Sequence, residues 1–226
     1  MDSSLVEQQR LSLEMPISPA SNAKWHVVDG NKVGLVYREK LCCKLYFSIS
    51  NNGIDFDKPS YIGNSGSMPY LSSFSDGKLL YLFQKGFKTS KTKANGEPIF
   101  IMKSHFRMSN DMGKTWGEPT PLTLTNATVH DATAVSRSDG NMDIYYSYPV
   151  DEEGELSLWR RCIKSNAKLG DEELVVEHDF GNIAKPSPHR LKNGQVLITF
   201  VEQGKVVLEG DHNIHAAVIS SDAICN

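Results

Sequence analysis

The chain has 226 residues, 39% of them hydrophobic and 23% charged, with a formal net charge of −3 and a pI near 6.2. That supplies apolar sequence for one large domain or two small ones. The charge balance excludes a global basic field that would draw nucleic acid or an anionic membrane, so any anionic ligand has to be attracted locally.

The N-terminal stretch MDSSLVEQQRLSLEMPIS lacks the basic start and apolar run of a secretory signal, and no later stretch is apolar for long enough to span a bilayer. The chain as it stands is therefore expected in the cytoplasm, with neither membrane nor nucleic acid as a partner. Residues 1–21 are expected to form an N-terminal tail or closing strand, ahead of a single domain at 22–226. SLVEQQRLSLE is the one helix-like segment. Cys42 and Cys43 are adjacent, Cys162 and Cys225 are isolated, and none has the paired spacing of a zinc site. Free thiols are expected, and the sequon Asn126-Ala-Thr128 then has no bearing.

From residue 24 onward one pattern recurs: a short strand, a tight polar-glycine turn, then an apolar run rich in β-branched and aromatic residues. The copies are KWHVVDGNKVGLVYRE, PYLSSFSDGKLLYLFQK, ATAVSRSDGNMDIYYSY and PSPHRLKNGQVLITFVE. Their turn glycines, Gly30, Gly77, Gly140 and Gly194, lie 47, 63 and 54 residues apart, which is the length of a four-stranded sheet with its loops. Each hairpin is followed by further strand-like sequence: KLYFSIS, IFIMKSHFRMS, LSLWRRCI and HNIHAAVIS. The pattern predicts an all-β protein, a β-propeller of about four to five antiparallel blades. A β-sandwich of hairpins is the alternative.

The stretch SNDMGKTW follows the third strand of the second repeat. Ser109 and Asp111 can hold backbone amides within a turn, Gly113 can take a positive φ, Thr115 is polar, and Trp116 can be buried beneath. These five residues match the Asp-box, and the chain resembles the sialidase-like BNR-repeat propellers. A worn copy, ISNNGIDF, keeps Asn51, Gly53 and Phe56, and the final SSDAICN begins like another. The resemblance implies a ligand pocket at the pole opposite the box, and in the enzymes of that family three arginines, a Tyr and Glu nucleophile pair and an Asp acid/base. This sequence lacks the Arg-Ile-Pro motif. Arg38, Arg107, Arg137, Arg160, Arg161 and Arg190 form no triad motif, and there are about four repeats where sialidases have six. A small propeller, a relative missing a blade, or a piece completed by a partner or by a homo-oligomer all fit.

If inner strands start at an upper rim, nine residues before each turn glycine stand Ser21, Met68, Asp131 and Lys185, and eight after it Arg38, Lys85, Tyr148 and Glu202. The second column is the more suggestive, four polar side chains expected to converge near one axis, and with Asp131 and His130 beside them they would suit an acidic or polyhydroxylated ligand. Asp131 and Glu202 are the candidate catalytic carboxylates, with Tyr148 a candidate nucleophile. Arg38, Lys85, His130, Lys185 and Tyr70 are candidate substrate-binding residues, the aromatic one by stacking on a sugar ring. The lysine-rich loop KGFKTSKTKANGEP would steer an anion toward the rim. His212 and His215, three apart on a strand, point to opposite faces, so no metal site is expected, and no cofactor either. A divergent glycoside hydrolase acting on a glycan or small carbohydrate at the central pocket is the leading expectation, ahead of a lectin-like glycan binder and an interaction scaffold.

Overall fold

The computed structural model describes residues 20–39, 44–64, 66–124, 127–150, 154–178, 181–203 and 212–226. Its strands form four antiparallel sheets arranged as the blades of a β-propeller, each running outward in chain order. Blade 1 contains β1 (Ala20–Asp29), β2 (Lys32–Glu39), β3 (Lys44–Ser50) and β4 (Ser60–Asn64). Blade 2 contains β5 (Ser67–Ser73), β6 (Leu79–Thr92), β7 (Pro98–Ser109) and β8 (Thr120–Pro121). Blade 3 contains β9 (His130–Ser136), β10 (Met142–Pro149), β11 (Leu156–Ile163) and β12 (Leu169–Val176). Blade 4 has three described strands, β13 (Asn182–Arg190), β14 (Val196–Gln203) and β15 (His212–Ile219). The expected tail or closing strand at 1–21 lies outside the described residues except for its last two.

The apolar runs become the second strand of each blade, and in blades 2 and 3 that strand is covered on both faces by neighbouring blades. β10 is buried along its whole length. One apolar cluster joins blades 1 and 2 through Val36, Phe47, Leu71 and Tyr81. A second joins blades 2 and 3 through Leu82, Phe106, Ile144 and Tyr146, and a third joins blades 3 and 4 through Tyr145, Leu158, Ile198 and Phe200. β1 lies along β5, β5 beside β9 and β9 along β13, whereas β13 and β1 share no packing of that extent. At this junction, which the described residues leave open, Trp25 is 70% and Ile214 81% exposed.

The 109–116 turn is closed by its own side chains. Gly113 N donates to Ser109 Oγ at 2.8 Å, and Asp111 takes Thr115 N at 2.9 Å and Thr115 Oγ1 at 2.6 Å. Trp116 Nε1 donates to Gly113 O at 3.0 Å, and its indole meets Phe47 and Tyr81 edge-on, with centroids 5.6 and 5.9 Å apart. A β-carbon on Gly113, at φ 84°, would collide with the Phe47 ring. The worn copy closes on Asn52 rather than on the expected Asn51, its Oδ1 accepting from the amides of Ile54 and Asp55 at 2.9 Å.

Two expectations are corrected. Cys162 and Cys225 are joined in a disulfide, with Cα atoms 5.2 Å apart, so these two thiols are not free. The C-terminal segment runs back to blade 3, where Ile224 N donates to Glu173 Oε1 at 2.7 Å, Arg137 Nη1 to Ala223 O at 2.6 Å and Arg160 Nη2 to Ser221 Oγ at 3.2 Å. That return brings together cysteines 63 residues apart. The lysine-rich stretch is also not a loop. Residues 85–92 continue β6 and pair with β7, and only 93–97 turn, with Lys93 and Glu97 ion-paired at 3.0 Å.

Candidate functional site

Each inner strand begins with a bulge. Across residues 21–24, 67–70, 130–133 and 184–187, three steps on the inner strand match two on its partner. The extra residue is left-handed every time: Asn22, Met68, Asp131 and Lys185 have φ of 52°, 50°, 50° and 53°. A bulge bends the strand and re-aims its side chains, and here it turns the four strand starts toward the axis. The count from the turn glycines found three of the four. Blade 1 is offset because its turn has two residues, Gly30 and Asn31, while the next turn has three, and because β1 carries a second register shift between Val27 and Asp29.

Residues 22–24, 68–70, 131–133 and 185–187 line an axial pocket of about 560 Å³, within the ~300–1,000 Å³ range of small-molecule sites. Adjacent inner strands are stitched together around it. Lys185 N donates to Asp131 Oδ2 at 3.1 Å, Thr133 Oγ1 to Pro186 O at 3.1 Å and Tyr70 OH to Ala134 O at 2.7 Å. Burial pushes the Tyr70 phenol upward, so it stays a neutral donor held by that carbonyl. Pro69, Pro186 and Met68 supply apolar surface, while Asn22, Lys24, Asp131 and Lys185 supply polar groups. A second pocket of about 400 Å³ lies between blades 3 and 4, lined by His130, Asp131, Leu156, Asn182, Ala184 and Lys185. Asp131 and Lys185 thus form a saddle between the two. Burial lowers the His130 pKa against the pull of Asp131, which favours the neutral imidazole.

The structure therefore brings Asp131, Lys185, Tyr70 and His130 together. It does not bring the rest of the expected set to either pocket. Glu202 is 7% exposed, and its Oε2 lies 3.1 Å from His215 Nε2. Tyr148 is buried, stacked on Trp159 at 4.6 Å, and donates to Glu172 Oε2 at 3.2 Å. Burial first, and then Glu172, drive its phenol far upward, which disfavours the phenolate a nucleophile needs. Lys85 sits over the Phe87 ring at 5.4 Å on the β6–β7 arm, and Arg38, facing Ser21 and Leu45 across the ladders, lies outside the pocket linings. Counting residues after the turn gives the height of a second-strand side chain but not its direction, and Tyr148 and Glu202 point into blade faces. Asn22, Lys24, Thr133 and Asn182 were missed, the first by one position.

No family model and no curated protein matches the chain. Among solved structures it is similar to a protein of unknown function from Dyadobacter fermentans DSM 18053, with a TM-score of 0.70 and 12% identity over 88% of this chain and 65% of that one. It is also similar to an α-L-arabinofuranosidase from Lactobacillus brevis, with a TM-score of 0.63 and 14% identity over 92% and 71%. A third is a family PL25 ulvan lyase bound to -[GlcA(1-4)Rha3S]-, with a TM-score of 0.59 and 12% identity over 89% and 56%. At these identities the likeness is one of fold. The chain spans 65% of the length of the first of them.

Proposed function

We propose that the chain is a carbohydrate-binding propeller whose ligand sits in the axial pocket. The observation that carries this reading is the convergence of four bulged strand starts on one pocket that mixes proline and methionine surface with an amide, two ammonium groups and a carboxylate. Apolar surface with a few oriented polar groups suits a sugar ring, which has apolar faces and a hydroxylated edge. Propellers named as arabinofuranosidase and ulvan lyase share the fold. The likeness of the 109–116 turn to the box of the sialidase-like propellers supports the same reading. Titration against a glycan library tests it, with Ser187→Trp as the blocked control. Saturable binding lost in S187W is expected, whereas binding unchanged by S187W overturns the site.

Hydrolysis is the second reading, favoured by the position of Asp131 between the two pockets, where a glycosidic bond would cross. Asp131 would donate its proton to the leaving oxygen as the glycosidic bond breaks, a water would attack the sugar carbon from the opposite face, and the proton that water sheds would restore Asp131. Asp131→Asn should then abolish sugar release while leaving binding within a few-fold. Retained release overturns the role. A homo-oligomer or partner that completes the ring would seat on the open junction beside Trp25 and Ile214. The Cys162–Cys225 bond favours an oxidising compartment over the cytoplasm.

A further inference from the structure

The wall of the axial pocket is more basic than the protein around it. Lys24 and Lys185 both front it, and neither ammonium has an ion-pair partner among the described residues. Asp131 is the only carboxylate among the described lining residues, and its Oδ2 already accepts from the Lys185 amide at 3.1 Å. The chain as a whole carries −3, so this local excess of cation is not a consequence of composition.

The off-axis pocket differs. His130 is held toward its neutral form by burial. Asn182 Oδ1 is occupied by Leu156 N at 2.9 Å, which leaves its amide nitrogen to donate. Neutral imidazole and carboxamide suit hydroxyls, whereas unpaired ammonium groups suit an anion.

We propose that the site takes an acidic oligosaccharide of two or more units. One unit sets its carboxylate or sulfate against Lys24 and Lys185 in the axial pocket. The next crosses the Asp131–Lys185 saddle and presents hydroxyls to His130 and Asn182. This rests on the carbohydrate reading of the axial pocket and adds the charge and the length of the ligand.

The test is an array of neutral, uronate-bearing and sulfated glycans of one to six units, followed by calorimetric titration of the strongest binder, its neutral counterpart and its monosaccharide. Acidic chains of two or more units should bind at least tenfold more tightly than both comparators. Lys24→Ala and Lys185→Ala should each lose about tenfold for the acidic chain and lose markedly less for the neutral one. His130→Ala should weaken the oligosaccharide but not the monosaccharide. Equal binding of neutral and acidic chains, or of monomer and oligomer, overturns this inference while the carbohydrate reading stands. No binding across the array overturns both.

Discussion

Replacing Cys225 with serine removes the bond to Cys162 without disturbing the contacts that seat the C-terminal segment. Arg137 still reaches Ala223 O, Arg190 Nη1 still reaches Asp222, and Glu173 still receives the Ile224 amide. The native state is therefore expected to persist, and the loss falls on the unfolded chain, which regains the freedom of a closed loop. With the cysteines 63 positions apart, the loop-entropy relation gives about 4 kcal/mol at 25 °C. For a chain of this size each kcal/mol moves the midpoint by roughly 2–4 °C, so C225S should melt about 8–16 °C below the oxidised protein. Calorimetry of the oxidised protein, the protein under reductant and C225S provides the comparison. The last two should coincide, and a non-reducing peptide map of the first should yield the fragment containing Cys162 linked to that containing Cys225. Equal midpoints for oxidised protein and C225S, or a map without the linked fragment, would refute the reasoning.

Trp116→Ala removes the indole wedged between Phe47 and Tyr81 and should cost about 3–5 kcal/mol in a denaturant titration. A cost below about 1 kcal/mol would mean that the turn is held by its polar bonds alone. The Thr115 hydroxyl and amide hold the Asp111 carboxyl below its usual range, and Asp139 is held at about 2, chiefly by Arg137. A depressed folded-state pKa gives stability that is present above the unfolded value and lost as pH falls through the folded one. The stability gap between the protein and Asp111→Asn should thus be full at pH 7 and shrink below about pH 4, and a gap that widens in acid contradicts this. Ala167, at φ 68° in the β11–β12 turn, should give up its β-carbon at a gain, with Ala167→Gly stabilising by up to about 1 kcal/mol. A loss would show the turn is not left-handed.

The blade phase was legible because each tight turn needs a residue with positive φ, and glycine marked it at Gly30, Gly77, Gly140 and Gly194. The 109–116 turn was legible because its chemistry is local: Ser109, Asp111 and Trp116 find partners within four residues of themselves. What depends on distant chain was not. The partner of Cys162 lies 63 residues on, and only the return of the C-terminal segment to blade 3 brings it close. Asp131 and Lys185 do line the axial pocket, because an inner-strand start can face only the axis or the rim. Tyr148 and Glu202 lie outside both pocket linings because a residue at the same height on the second strand faces a neighbouring blade.

The four left-handed residues at the strand starts supply the last step. A β-carbon in that conformation costs about 1–3 kcal/mol, and glycine would avoid it. Asn22 and Asp131 are among the residue types that tolerate it, but Met68 and Lys185 are not. In the turns glycine takes most such positions; at the strand starts it takes none. If the bulge served only to bend the strand, Met68→Gly and Lys185→Gly should be neutral or stabilising and should leave ligand binding as it was. If the bulge exists to aim a side chain at the axis, the same substitutions should keep or raise the melting temperature and weaken binding. Lys185→Gly should then fall at least as far as Lys185→Ala, because it removes the same ammonium and frees the backbone that presents its amide to Asp131. Stability and binding moving in opposite directions at one residue separates a functional strain from a structural one. Binding unchanged in both glycine variants would mean that the bulge serves only to bend the strand.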